Sequence, residues 1–188
     1  AQATVETLDD CFFTTPEEDF TLAEFPERYR GEWADNAHWL ALAFHAYREF
    51  PDRPYQHASP QTLAHDFDAV AGEILRFAGE QAYSPPTVIH WAMCPSSLLP
   101  VLHERGVRVL SGYFRPAGSS FDINYCLDEE RSEYLSRHDA LVDFESGIAF
   151  SRVDIVCNST PVDQVVPTLE PLTRSPDTAE IMDLFTHE

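Results

Sequence analysis

Residues 59–110 read SPQTLAHDFDAVAGEILRFAGEQAYSPPTVIHWAMCPSSLLPVLHERGVRVL, and this stretch decides the fold. Ser59-Pro60 is a helix start, with the serine as N-cap and the proline at the first helical position, where no N–H is needed. Leu63, Phe67, Val70, Ala71, Ile74, Phe77 and Ala78 then recur at spacings of three and four. That places them on one face of a helix over residues 60–79. Pro85-Pro86 stops anything continuing from it. Thr87-Val88-Ile89 reads as a buried strand ending at His90. Pro95 and Ser96 open a second helix through Leu98, Leu99 and Leu102, and Gly106 fits its C′ position. Residues 107–110 follow as a strand. Strand, helix and strand with short connections form a βαβ unit, which makes the strands parallel.

Outward from there the alternation repeats. Residues 3–8 alternate weakly and end at Asp9-Asp10. Residues 39–44 are a short apolar run ending at His45. Residues 121–127 and 148–156 are strand-like, and 128–135 read as a short helix. Thr160-Pro161 starts a helix with Val162, Val165, Val166, Leu169 and Leu172 on one side. Residues 181–185 are a last apolar run before Thr186-His187-Glu188. Repeated β-α alternation predicts an α/β fold, layered or closed into a barrel. The 188 residues favour one domain over 1–188, large enough to bury roughly 70% of the unfolded surface without disulfide staples.

Composition excludes several function classes. Acidic residues outnumber basic ones 32 to 12, giving a net charge of −20, and all 12 basic residues are arginine. Such a surface repels phosphate backbones and anionic membranes, so no nucleic-acid or membrane partner is expected. The missing lysine removes Schiff-base chemistry and a P-loop. No G-x-G and no G-x-S-x-G occurs, so neither the dinucleotide fingerprint nor a serine-hydrolase elbow is present. The four cysteines, Cys11, Cys94, Cys126 and Cys157, form no C-x-x-C pair. They read as free thiols in a reducing compartment, which predicts a cytoplasmic setting, although a chain beginning at Ala1 leaves leader removal open.

Asp9-Asp10, His45 and His90 each follow an apolar run directly, and His187 follows the last one. In parallel α/β folds the carboxyl ends of strands meet on one face, where sites are built. Aspartate and neutral imidazole suit zinc and related divalent ions. His38, His57, His65, His103 and His138 fall on helical or loop stretches and read as surface or structural residues. Each site member also has a plain reading: an Asp pair as a solvated turn, a histidine as a packed imidazole. The joint pattern carries more weight than any member.

Thr7-Leu8-Asp9-Asp10 resembles the first motif of the polysaccharide deacetylase-like superfamily, a T-F-D-D element ending the first strand. The resemblance implies that Asp9 is the catalytic base and Asp10 a metal ligand. Residues 44–49, FHAYRE, stand where the family's H-S/T-x-x-H metal motif stands. His45 matches its first histidine, and Glu49 occupies the position of the second. Ile89-His90-Trp91 falls at the third motif, where His90 replaces the family's arginine. Leu184-Phe185-Thr186-His187 resembles the closing L-x-x-H, whose histidine is the general acid, and Asp154 is the candidate carboxylate orienting it. Residues 44–55 with 88–91 are similar to a divergent bacterial branch of the superfamily.

The resemblance implies a (β/α) barrel of six to seven parallel strands, irregular or incomplete because the chain stops soon after His187. It also implies a divalent ion, zinc first and iron, cobalt, nickel or manganese next, held by Asp10, His45, Glu49 and His90. The implied reaction is hydrolysis of a carbon–nitrogen bond, above all deacetylation of an N-acetylated saccharide. Trp33, Trp39, Trp91 and Tyr113 are candidate surfaces for a sugar ring. Other amide substrates of the same chemistry stand beside this reading. A catalytically degenerate barrel binding a saccharide or a partner is the alternative, and a nucleophilic Cys94 at a helix start is the least favoured.

Overall fold

The computed structural model describes residues 2–4, 21–48, 53–113, 125–174 and 181–186. Asp9, Asp10, Glu49 and His187 therefore lie outside the described residues, as does most of the expected strand over 121–127.

The sheet elements are short. β1 (Gln2–Thr4) pairs in parallel with β2 (Ala41–Ala43). β3 (Val109–Tyr113) pairs in parallel with β5 (Ile148–Arg152), and β5 pairs antiparallel with β4 (Ala140–Asp143). β6 (Ile155–Val156) pairs in parallel with β7 (Leu184–Phe185). The helices are α1 (Arg30–Asn36), α2 (Pro60–Phe77), α3 (Leu99–Glu104), α4 (Glu129–Leu135) and α5 (Val162–Leu169).

This overturns the expected (β/α) barrel. The described strands form separate sheets of two, three and two strands, and one pair is antiparallel. A barrel needs each strand to bond on both edges around a closed ring. Here the gap between β2 and β3 is filled by residues 82–90, which bond to both without forming a ladder. The Leu42 amide donates to Ala82 and the Ser84 amide to Leu42, then the Ser111 amide donates to Thr87. Pro85 and Pro86 sit between these contacts and have no N–H to give, so pairing cannot run through them. The expected strand at Thr87-Val88-Ile89 is consequently an irregular bridge.

α2 forms as its sequence dictates. The Ser59 side chain accepts from the Thr62 amide at 3.0 Å, Pro60 opens the first turn, and Leu63, Phe67, Val70, Ala71, Ile74 and Phe77 are buried. Phe67 meets the Phe44 ring at 4.9 Å between centroids. At roughly 1.5–3 kcal/mol per buried large side chain, this face anchors the core. On its flank Arg76 donates to the carbonyls of Leu22, Ala23 and Phe25, tying the turns at Leu22–Glu24 and Glu27–Tyr29 to the helix. α3 ends as expected. Gly106 has φ +89°, and the Gly106 and Val107 amides return to His103 and Leu102. α4 is capped by Asp128, which accepts from the Arg131 amide at 2.8 Å. α5 differs from the others. It has no buried residue, and Val162 and Val166 are exposed.

Candidate functional site

β2 delivers Phe44, His45 and Ala46 into the interior, where all three are buried. His90 arrives from the irregular bridge rather than from a strand end. Its amide donates to the His45 carbonyl at 3.2 Å, which fixes the two segments side by side. The chain then turns through His90–Ala92 with Trp91 at φ 60° and Ala92 at φ 47°. The left-handed region costs a non-glycine residue about 1–2 kcal/mol. That turn keeps His90 inside and leaves Trp91 44% exposed.

The imidazoles meet. His90 Nδ1 lies 3.0 Å from His45 Nε2, with the rings at 86° and 5.0 Å between centroids. His45 Nδ1 faces the Val88 carbonyl at 3.4 Å, and a carbonyl can only accept. The proton of His45 therefore belongs on Nδ1, its Nε2 is the acceptor, and His90 Nδ1 donates. A backbone carbonyl holding Nδ1–H is also the arrangement that aims Nε2 at a metal ion. Two imidazole nitrogens bound at 2.0–2.1 Å to one tetrahedral ion lie about 3.3 Å apart. The spacing found is within a few tenths of an ångström of that, so the donor pair fits a divalent ion. Two nitrogens do not complete a site. Among the described residues no group of three His, Cys, Asp or Glu side chains converges.

The loop beyond His45 is fastened by Tyr55. Its buried hydroxyl accepts from the Tyr47 amide at 3.1 Å and donates to Asp66 Oδ2 at 3.3 Å. Burial pushes this phenol well above the ordinary tyrosine range, so it stays protonated and keeps both bonds. Tyr47 and Arg48 are exposed beside it. The Arg48 guanidinium lies 5.7 Å from the Tyr47 ring centroid, and that of Arg53 lies 5.5 Å from the Trp91 ring.

Asp154 lies elsewhere, in a polar knot at the β5–β6 junction. Its side chain is 0% exposed. One carboxylate oxygen accepts from Arg152 Nη2 at 2.8 Å and the other from the Asp183 amide at 3.0 Å. The Asp154 amide returns to the Asp183 carbonyl at 2.9 Å. Asp183 in turn accepts from the hydroxyls of Ser111 and Ser151. The chain just before β7 is thus pinned to β3, β5 and β6. The sequence reading missed Asp183 and Arg152, because neither belongs to a motif. An Arg-x-Asp step at a strand break is the one local signal for Arg152, and nothing local marks Asp183.

The remaining candidates separate clearly. His38, His57 and His65 are exposed and His103 and His138 half-buried, as expected. Trp33 packs on Phe25 and Phe77, whereas Trp39 and Trp91 are exposed. The Cys94 thiol is buried, and burial pushes it up to about 12, which is the opposite of an activated nucleophile. No helix of the described residues is long and apolar enough to cross a membrane.

Compared with known proteins, the chain matches no family model, no curated protein and no solved structure.

Proposed function

We propose that this protein is a metal-dependent hydrolase of amide bonds, with an N-acetylated saccharide as the substrate class. The observation that carries the reading is the buried His45–His90 pair, joined at 3.0 Å across 45 residues of sequence. Burying two imidazoles against each other, with a carbonyl orienting one of them, is a costly arrangement for packing alone. His45 Nε2 and His90 Nδ1 are the nitrogens that would hold the ion, once His90 carries its proton on Nε2 in place of Nδ1, with Asp10 and Glu49 as the further ligands read from the sequence. A divalent ion bound there supplies a water of lowered pKa and polarises the substrate carbonyl. In this reading Asp9 takes the water proton and His187 gives one to the leaving amine. Asp154 acts on His187 indirectly, by pinning Asp183 four residues before it. The parallel pairings β1–β2 and β6–β7 support this reading, because the chain leaves Thr4 and Ala43 in one direction, and likewise Val156 and Phe185.

Metal content of protein purified without an affinity tag tests it. About one equivalent of divalent ion is expected in the parent, and a loss of tenfold or more in occupancy for His45→Ala and for His90→Ala. A parent that binds no ion when dialysed against zinc refutes the hydrolase. One observation favours a second reading, a saccharide-binding module: the exposed Tyr47 and Trp91 flank the histidines while only two metal-ligating side chains meet among the described residues. Saccharide binding by the metal-free parent without turnover is its signature.

A further inference from the structure

The chain holds two methionines and four cysteines in 188 residues, and two of these sulfurs meet. Cys126 Sγ stands 3.5 Å from Met93 Sδ, across 33 residues of sequence. Met93 is 0% exposed, whereas Cys126 is exposed. The thiol is thus the solvent end of the contact and the thioether its inner end. Both segments are held by their backbones. The Met93 amide donates to the His90 carbonyl at 3.2 Å, and the Tyr125 amide to the Ala92 carbonyl at 2.5 Å. The buried Tyr125 hydroxyl donates to the Ser111 carbonyl. The two sulfurs are therefore set in place by the fold before any ligand arrives.

Cysteine outside disulfides is among the most buried residue types, so packing alone does not account for an exposed thiol against a buried thioether. A thiolate and a thioether are the soft donors of a protein, and they suit copper(I) rather than magnesium, calcium or manganese. Metal–sulfur bonds of about 2.3 Å opening at about 100–120° place two sulfurs about 3.5–4.0 Å apart. The spacing found lies at the short end of that range. Two donors leave zinc with an unfilled tetrahedral shell. Copper(I), a closed-shell ion stable at low coordination number, does not need the rest. The exposed side of Cys126 supplies an entry path, and the net charge of −20 concentrates cations at the surface.

We propose that Met93 and Cys126 form a binding site for copper(I), distinct from the His45–His90 pair. Binding replaces the S–H bond of Cys126 with a sulfur–metal bond and releases that proton to solvent, while Met93 Sδ donates a lone pair. No electron is transferred. The probe is copper(I), supplied anaerobically as its complex with the coloured chelator ferrozine to untagged, reduced protein. The parent is expected to withdraw about one equivalent from the chelator. Cys126→Ser and Met93→Leu, the second of which conserves core volume, are each expected to raise the Kd about tenfold or more. Bound copper(I) should also protect Cys126 of the parent from iodoacetamide, a reading that needs no variant. His45→Gln, Cys11→Ser and Cys157→Ser should bind as the parent does. No transfer from ferrozine, an unchanged Kd in either sulfur variant, or undiminished labelling of Cys126 with copper bound overturns the proposal. So does loss of binding in His45→Gln, which would assign the ion to the histidine pair, or in Cys11→Ser or Cys157→Ser.

Discussion

Asp154→Ala should be among the most destabilising single changes in this chain, and the polar knot gives its size. The parent carboxylate is fully buried and accepts from Arg152 and from the Asp183 amide. Truncation leaves that amide without its acceptor, a loss of about 1–3 kcal/mol. It also leaves Arg152, 16% exposed, without its close partner. Breaking a fully buried ion pair from one side costs about 3–5 kcal/mol. The remaining exposure of Arg152 and the second carboxylate of Asp139, 4.0 Å away, reduce that share. A total of about 3–4 kcal/mol follows, because the two contributions come from one side chain and do not add in full. For a chain of this length each kcal/mol moves Tm by about 2–4 °C, so the melting temperature should fall by about 6–16 °C. Asp154→Asn keeps one oxygen and the shape, and should lose about half as much. Glu133→Ala breaks an exposed pair on α4 and should cost about 0.5 kcal/mol or less. Thermal and urea unfolding, each followed by the fluorescence of Trp33, Trp39 and Trp91, measure all three. An Asp154→Ala protein within about 2 °C of the parent would refute the claim that this carboxylate pins the chain before β7.

Phe67→Ala, at a position 2% exposed and stacked near Phe44, should cost about 3–5 kcal/mol in the same unfolding assay; a loss under about 1 kcal/mol would mean that the α2 face is not core. Gly106→Ala should cost about 1–2 kcal/mol, because φ +89° suits glycine alone, and equal stability would deny the left-handed C′ position. Alkaline stability should fall from about pH 9 upward, since the unfolded chain releases the Cys94 proton there while burial holds the folded thiol up to about 12. Cys94→Ala should reduce that slope by about 1.4 kcal/mol per pH unit between these limits, as measured by urea titration at stepped pH. At pH 8 iodoacetamide should label the exposed Cys126 in the folded protein and reach Cys94 only after unfolding.

Residues 59–77 announced α2 outright, because helix periodicity, an N-cap serine and a first-turn proline are local signals written within one element. Gly106 was legible for the same reason: a cap depends on the few residues beside it. The charge balance, with no lysine, was read directly and bounded the chemistry. The placement of His45 just past a strand was also visible. What the sequence did not carry was the choice of partner. Thr87-Val88-Ile89 has strand composition, yet whether it pairs depends on two neighbours far away in the chain and on the N–H groups that Pro85 and Pro86 lack. β4 was missed because it is a strand with alternating partial exposure, whose only pairing among the described residues is with the strand after it. The apolar side of α5 reads like a core face, but periodicity reports only that a helix has such a side, and here no partner among the described residues buries it. The same limit governs the site. The pattern of apolar runs and the resemblance nominated His45 and His90 as members of one site, but not the contact between them. The 3.0 Å contact, the Val88 carbonyl that orients one ring, and the left-handed turn that turns Trp91 outward came from tertiary packing. Contacts across 45 residues are set by how the core closes, and a linear pattern holds no record of that closure.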